Sequence, residues 1–197
     1  MDSFLHRITI IHKLFMKEVS KHPHRIFQYQ VNRKDLFPNN PELPALWYRS
    51  ALLLPYFKKA DFICRLFEKN NWTNNWDDTI LTESHFHSNT HEVIGIYGGS
   101  ASLVFGGGTV SIDVSPGDVI IIPAGVAHSQ QNIKEQLRCV GGYPNGLHYD
   151  MHYGRKEENL EELLLNIENV ALPTTDPVYG KEGPLVKAWQ RRKSAHT

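Results

Sequence analysis

Between positions 79 and 132 short apolar runs alternate with turns, several of which are rich in glycine. Short apolar runs bounded by turn residues are typical of β-strands. The pattern therefore predicts an all-β core. Three consecutive glycines at positions 106–108 lack the helix and the Lys-Ser/Thr pair of a phosphate-binding loop, so they are predicted to form a hairpin.

Apolar residues near the N-terminus recur instead at the spacing of a helix. The pattern predicts an amphipathic helix within an N-terminal extension of residues 1–25, with Met16 as an alternative start of the protein. We favour packing of its apolar face on the β core or on a second subunit over contact with a membrane surface, because it carries few positive charges. The apolar positions are Phe4, Ile8, Ile11, Phe15 and Val19.

Two strands and a helix are predicted before the β core. Alternation at Phe27, Tyr29 and Val31 indicates the first strand, and the second is predicted from residue 46 to residue 54. Pro55 is expected to open a helix that ends near residue 70, because proline is favoured at the first helical position. The side chains predicted to form its buried side are Phe57, Phe62, Leu66 and Phe67.

A helix and an extended tail are predicted after the β core. Leucines at helical spacing indicate the helix from about residue 157 to residue 169. The tail is expected to wrap the core, since Val178, Leu185 and Trp189 would be costly to leave in water. Residues 26–189 are therefore interpreted as one domain, and residues 190–197 as a short basic tail.

The composition limits the possible classes of protein. A chain of 197 residues with 41% hydrophobic content suits one domain, and 21 basic against 21 acidic residues give no net charge to attract nucleic acid. Cys64 and Cys139 lie in apolar runs without CxxC spacing, which predicts buried free thiols. No apolar run reaches roughly 18 residues and no clean secretion signal is present, so no membrane span is predicted and the cytoplasm is the expected location.

Four side chains of the β core have the chemistry and spacing of metal ligands. His85 and His87 are predicted to lie on the same side of one strand, about 7 Å apart along the chain. Glu92 begins the next apolar run, and His128 follows a Pro-Ala-Gly turn that returns the chain towards the same point. Three imidazoles and one carboxylate suit a divalent first-row metal ion. His91 is left out of the predicted set, because a strand residue next to Glu92 faces the opposite way.

The four predicted ligands match both halves of the cupin signature. Over residues 36–189 the chain resembles the small bacterial cupins called YjlB-like, a family without an assigned reaction. The resemblance implies a cupin double-stranded β-helix, or jelly-roll barrel, with a few flanking α-helices. Besides the ligands, the residues that carry the resemblance are Gly99, Gly117, Pro123, Gly125, Asn132, the Asn39-Asn40-Pro41 segment and the Asp176-Pro177-Val178-Tyr179-Gly180 segment, with Thr79 where the signature usually has glycine.

Two neighbours of the ligands are candidate catalytic residues. Glu83 precedes His85 by two residues and Gln130 follows His128 by two, so alternation predicts that both face the barrel interior. Glu83 is then a general acid or base or a partner of an imidazole, with a solvated carboxylate at the barrel mouth as the alternative. Gln130 is predicted to hydrogen-bond a substrate or a water molecule, with a satisfied core amide as the alternative.

The charge of the predicted strands bears on the substrate. Residues 79–132 contain no lysine or arginine, and only Arg49 and Arg138, on neighbouring predicted strands, are candidates to bind a phosphate. This pattern favours a small neutral or monoanionic organic molecule.

Three functions remain open at the level of the sequence. The first is a metal-dependent enzyme of the dioxygenase or oxidase type, with Fe, Mn, Ni or Zn as the divalent metal ion. The second is a non-catalytic module that binds metal or a small ligand, and the third, less favoured, is a purely structural or storage barrel. A homodimer is expected, because cupins commonly pair through their sheets and the barrel edges are exposed.

Overall fold

A computed structural model describes the backbone of residues 25–193 and the side chains of residues 25–190. The predicted N-terminal helix lies outside the described residues, as do positions 194–197. The strands and helices are β1 (Arg25–Val31), β2 (Asn40–Arg49), α1 (Lys59–Lys69), β3 (Trp72–Asp78), β4 (Glu92–Phe105), β5 (Val110–Val114), β6 (Val119–Ile122), β7 (His128–Pro144), α2 (Leu160–Asn169) and α3 (Pro184–Lys193).

The strands form one antiparallel seven-stranded sheet with the order β1-β2-β6-β4-β7-β3, and β5 pairs with β4. The two longest strands, β4 and β7, pair along most of their length, and the glycine turn at 106–108 joins β4 to β5 as predicted. The predicted all-β core with a few flanking helices is confirmed.

Two large apolar clusters hold the described part of the chain together, beside a small third cluster of Phe86, Ala127 and Leu163. One lies among the strands and contains the inward-facing Ile94, Ile96, Leu103 and Ile120. The other lies between the sheet and the helices, where β2 residues meet α1 and α3. The tail residues Val178, Leu185 and Trp189 are 4%, 0% and 1% exposed, which confirms that the tail packs on the barrel.

The second strand, predicted from residue 46 to residue 54, is β2 and ends earlier, at Arg49. Ser50 has a left-handed backbone conformation with φ 52°, which ends the strand.

Two other predicted boundaries are wrong. The helix expected from Pro55 begins at Lys59, because Lys58 has a left-handed backbone conformation with φ 54° and separates residues 55–57 from the helix. As a result Phe57 is 77% exposed rather than buried. The tail is not extended throughout: Pro184 opens α3, which continues through residues 190–193 of the predicted basic end.

Asp176 joins the tail to the sheet. Its buried carboxylate accepts a hydrogen bond from the Tyr48 hydroxyl of β2 at 2.7 Å. It also accepts the backbone N–H groups of Val178, Tyr179 and Leu185 at 2.8, 3.0 and 3.0 Å. The last of these donors lies in the first turn of α3, so one carboxylate fixes the turn, the helix start and the strand together.

Both cysteines are free; Cys139 is buried and Cys64 is half-buried. Burial raises the pKa of the Cys64 thiol and that of the Cys139 thiol, and nearby carboxylates add to both shifts. Among residues 25–193, no helix is both long and apolar enough to cross a membrane.

Candidate metal centre

Three histidines meet inside the barrel. His85 and His87 lie in the extended segment before β4, and His128 is the first residue of β7. The backbones of His85 and His128 are joined by two hydrogen bonds, with N···O distances of 3.1 and 2.8 Å. All three side chains are buried, with 5% or less of each residue exposed. One ligand atom of each lies within 4.8 Å of those of the other two.

The hydrogen bonds of the three rings fix which nitrogen is available to a metal ion. Nδ1 of His85 lies 2.9 Å from the Glu83 carbonyl oxygen, and Nδ1 of His128 lies 3.1 Å from that of Val126. Nδ1 of His87 lies 2.5 Å from the Asp150 carbonyl oxygen. Because a carbonyl oxygen only accepts, each Nδ1 carries the hydrogen, and Nε2 is left as the coordinating atom.

Glu92, the first residue of β4, adjoins two of the three histidines. Its Oε2 atom lies 3.1 Å from His128 Nε2 and 3.5 Å from His87 Nε2. The buried Oε2 has no hydrogen-bond partner among the described residues, whereas Oε1 accepts the Tyr143 hydroxyl at 2.9 Å. A buried carboxylate oxygen directed at two imidazole nitrogens without a hydrogen bond is suited to a cation at that point.

The electrostatics of the centre favour an ionised Glu92. Burial acts to raise the pKa of its carboxyl, but the neighbouring imidazoles of His87 and His128 outweigh burial and lower it. Burial and the neighbouring His128 lower the pKa of His85 to about 4, so this ring is neutral at pH 7. For His87 burial acts to lower the pKa, and Glu92 with Asp150 raises it overall. Neutral imidazole and ionised carboxylate are the forms that bind metal ions.

The turn before His128 is held by the two asparagines of the Asn39-Asn40-Pro41 segment. The Asn40 amide donates to the Ala124 carbonyl at 3.0 Å, and the Asn39 side chain accepts the Ala127 N–H at 3.1 Å. Gly125 has φ 86°, and a Cβ there would lie 2.6 Å from the Asn39 carbonyl oxygen, so the turn requires glycine. The Gly125 N–H donates to the His87 carbonyl at 2.8 Å, which ties the turn to the ligands.

His91 faces away from the centre, as predicted. Its Nδ1 accepts the Ala124 N–H at 3.0 Å, and its ring lies 4.7 Å from the Trp189 ring. These contacts direct the buried imidazole towards α3, so it takes no part in the histidine cluster.

The predicted placement of Glu83 inside the barrel is wrong. Its side chain is 63% exposed and pairs with Arg155 at 3.3 Å, while only its carbonyl contacts His85. Residues 79–84 form an irregular segment with bends rather than a strand, so the two-residue alternation does not extend back from His85. Its predicted catalytic role has no structural support here.

Gln130 is 2% exposed and faces the interior, as predicted. Its amide nitrogen donates to the Thr79 hydroxyl at 3.0 Å and to the Ile80 carbonyl, and Oε1 has no hydrogen-bond partner among the described residues. The Thr79 hydroxyl also accepts a hydrogen bond from the Gln136 amide at 2.8 Å. Thr79, which stands where the signature usually has glycine, therefore joins Gln130 to Gln136. A role of Gln130 towards a substrate stays a prediction.

Residues 148–155, which we call the covering segment, contact the site but carry no motif in the sequence. Phe86 and His152 exchange two backbone hydrogen bonds, which hold the covering segment against the histidine strand. The Asp150 carboxylate accepts the Ser88 N–H at 2.7 Å and the Ser88 hydroxyl at 2.5 Å, and it lies 3.1 Å from His152 Nε2. These contacts fix the backbone carbonyl of Asp150, which accepts a hydrogen bond from His87 Nδ1.

We expect Asp150→Ala to weaken metal binding about 10- to 100-fold, because residues that orient a ligand contribute on that scale. The variant releases Ser88 and His152 and so loosens the carbonyl that orients His87. Competition with a chromophoric chelator measures the affinity. Glu157→Ala, which removes an exposed carboxylate nearby, is the matched control. Equal affinities of the two variants would contradict the positioning role.

A cavity of about 180 Å³ opens on the histidines. Its remaining walls are mostly aromatic and apolar, and no lysine or arginine among residues 25–190 lines it. Arg49 and Arg138, the two candidate cations, instead lie over the rings of Trp47 and Tyr97 at 5.5 and 5.8 Å. Besides His85, His87, His128 and Glu92, the lining residues are Trp76, Asp78, Thr79, Ile80, Leu81, Ile94, Tyr143, Tyr149 and Met151.

Comparison with known proteins gives one family match and one relative of high coverage. Residues 81–146 match the model of the family described as Cupin. The uncharacterized protein YjlB of Bacillus subtilis is 36% identical over 153 residues, which are 77% of this chain and 89% of YjlB.

Solved structures are similar at lower identity. A DUF861 family protein of Thermotoga maritima is 20% identical, with 45% of this chain and 92% of that chain covered and a TM-score of 0.30. The polyketide cyclase RemF of Streptomyces resistomycificus is 16% identical, with 73% and 89% covered and a TM-score of 0.35.

Proposed function

Because the chain belongs to the cupin family, as a relative of Bacillus subtilis YjlB, we propose that its barrel binds one divalent metal ion. The ligands are His85, His87 and His128 through Nε2, and Glu92 through Oε2. The observation that carries the proposal is the commitment of all three Nδ1 atoms to backbone carbonyls, which leaves three buried Nε2 atoms around one point. Fe, Mn, Ni and Zn suit this donor set.

The proposed activity is that of a metal-dependent enzyme of the oxygenase or oxidase type. When bound, such an ion supplies Lewis-acid or redox chemistry at open coordination positions. The protein contributes the cavity beside it and fixes Glu92 through the Tyr143 hydroxyl. A divalent ion with one carboxylate ligand leaves a net charge of about one, and no lysine or arginine among the described residues lines the cavity, whereas the Asp78 carboxylate does. These charges favour a small neutral or monoanionic organic substrate.

A non-catalytic metal or small-ligand module is the second candidate, and one observation favours it. Glu83, the predicted acid or base, faces solvent beside Arg155, so the general acid or base that alternation predicted is missing from the cavity. His87→Ala distinguishes the two candidates once a substrate is known: an enzyme loses turnover with its fold retained.

Metal content tests the proposal directly. Protein purified without a histidine tag and without chelator should carry about one first-row metal ion per chain by mass spectrometry. His148→Ala, which removes an exposed imidazole of the covering segment, should leave that content unchanged. A chain that stays free of metal after anaerobic loading with Fe(II), Mn(II), Ni(II) and Zn(II) would refute metal binding.

We also propose a homodimer in the cytoplasm. β1 and β3 end the strand order, and Tyr56 and Phe57 are 87% and 77% exposed. Unpaired strand edges and exposed aromatic rings favour association with a second copy. Light scattering that gives a monomeric mass would count against the dimer, and fractionation of the source cells tests the location.

A further inference from the structure

The cavity over the proposed metal centre is bounded by aromatic rings. The rings of Tyr143 and Tyr149 are stacked, with centroids 5.0 Å apart and an interplanar angle of 29°. The Tyr149 ring also lies 4.8 Å from the His87 ring, and Trp76 completes the aromatic lining. Ile94 and Met151 add apolar surface, so most of the wall outside the ligands interacts through dispersion and ring contacts.

The polar ends of two of these rings are already occupied. Trp76 Nε1 donates to the Tyr143 hydroxyl at 3.0 Å, and that hydroxyl donates to Glu92 Oε1 at 2.9 Å. Trp76 and Tyr143 therefore have no free donor to offer a ligand. What they present to the cavity is ring surface, which favours another flat ring over a flexible polar chain.

The size of the cavity suits a ligand with one ring. A cavity of about 150 Å³ in a protein core accommodates benzene. The cavity here measures about 180 Å³. It therefore has room for a six-membered ring with one or two small substituents, whereas a second fused ring would extend out of its open mouth.

We propose that the ligand of this site is a single planar aromatic ring with one neutral or singly charged oxygen donor. The inference rests on the proposed metal centre, because the donor oxygen binds the ion while the ring contacts Trp76, Tyr143 and Tyr149. Tyr149 is 45% exposed and belongs to the covering segment, so it lies at the mouth of the cavity and covers the bound ring.

A matched pair of probes tests the ring preference. Benzoate and cyclohexanecarboxylate have the same donor group, the same charge and nearly the same size, and they differ in whether the ring is flat and aromatic. Ligand-observed NMR titrations of the zinc-loaded protein should give benzoate about tenfold tighter binding than cyclohexanecarboxylate. The larger 2-naphthoate and the doubly charged phthalate should both bind more weakly than benzoate.

Two variants test whether the aromatic rings of the cavity cause the preference for benzoate. Tyr149→Leu and Trp76→Leu should bring the benzoate to cyclohexanecarboxylate ratio towards one, and the zinc content of Tyr149→Leu should stay at that of the wild type. Tyr56→Leu, at an exposed ring outside the cavity, should keep the ratio of the wild type.

The outcomes separate the two proposals. Failure of the wild type to bind zinc or any other loaded metal refutes the metal centre. Full zinc occupancy with equal binding of the two probes, or with a benzoate preference that survives in Tyr149→Leu and Trp76→Leu, overturns the ring preference alone. If Tyr149→Leu loses zinc, Tyr149→Phe is tested in its place. Its retained ring should preserve both the zinc content and the preference for benzoate.

Discussion

Replacing His85 and His128 by alanine together should lower the affinity for a divalent metal ion by about 10⁴-fold or more. A structural zinc site with four ligands contributes roughly 10–16 kcal/mol, which is about 3 kcal/mol for each ligand. Two lost imidazoles therefore remove about 6 kcal/mol, and each 1.4 kcal/mol is about tenfold. The two backbone hydrogen bonds between these residues do not involve the side chains, so the barrel should still form in the variant.

Metal content and a chelator competition measure this effect, and near-ultraviolet circular dichroism checks the fold. His148→Ala is the control, because its imidazole is exposed and only its carbonyl takes part in a described hydrogen bond. Wild-type metal content in the double variant, with the fold intact, would show that the ion binds elsewhere.

Asp176→Ala should reduce the free energy of unfolding by about 3–5 kcal/mol, the range for breaking a buried charged network. The substitution leaves the Tyr48 hydroxyl and three backbone N–H groups without their acceptor inside the protein. Each buried donor without a partner costs roughly 1–3 kcal/mol before the structure relaxes. For a chain of this size the melting temperature should fall by roughly 10 °C.

Chemical denaturation in the presence of a chelator measures the stability of the metal-free protein, so that metal binding does not contribute. Glu182→Ala is the matched control, because Glu182 is an exposed carboxylate in the same tail. Similar stabilities of the two variants would mean that the tail does not depend on Asp176.

The cluster of three histidines was predictable from the sequence because local geometry positions the rings. His85 and His87 differ by two residues in an extended segment, and the turn at Gly125 returns the chain to His128 within a few residues. Glu83 was not predictable by the same rule, since alternation holds only where the backbone is extended. The bends at residues 82 and 83 turn its carboxylate to solvent.

The covering segment and α3 were not predictable, because their contacts join distant parts of the chain. Asp150 and Ser88 are 62 positions apart, and no spacing rule connects them. The sequence before and at the start of α3 predicts an extended tail, because proline and glycine usually interrupt helices. Pro184 is compatible with the first turn, and the distant Asp176 carboxylate accepts the Leu185 N–H that would otherwise lack a partner.

The attachment of the tail to β2 also bears on how the protein folds. The Tyr48–Asp176 hydrogen bond spans 128 positions, and the bond from the Trp189 indole to the Pro44 carbonyl spans 145. Closing such long loops costs more entropy than closing the β4–β5 hairpin, and chains dominated by distant contacts fold slowly. We therefore expect the hairpin to form early and the tail to dock last, in a refolding phase of milliseconds to seconds that stopped-flow fluorescence can time. Until the tail docks, the Trp189 ring does not pack against the His91 ring. The packing around the neighbouring Glu92 is then incomplete.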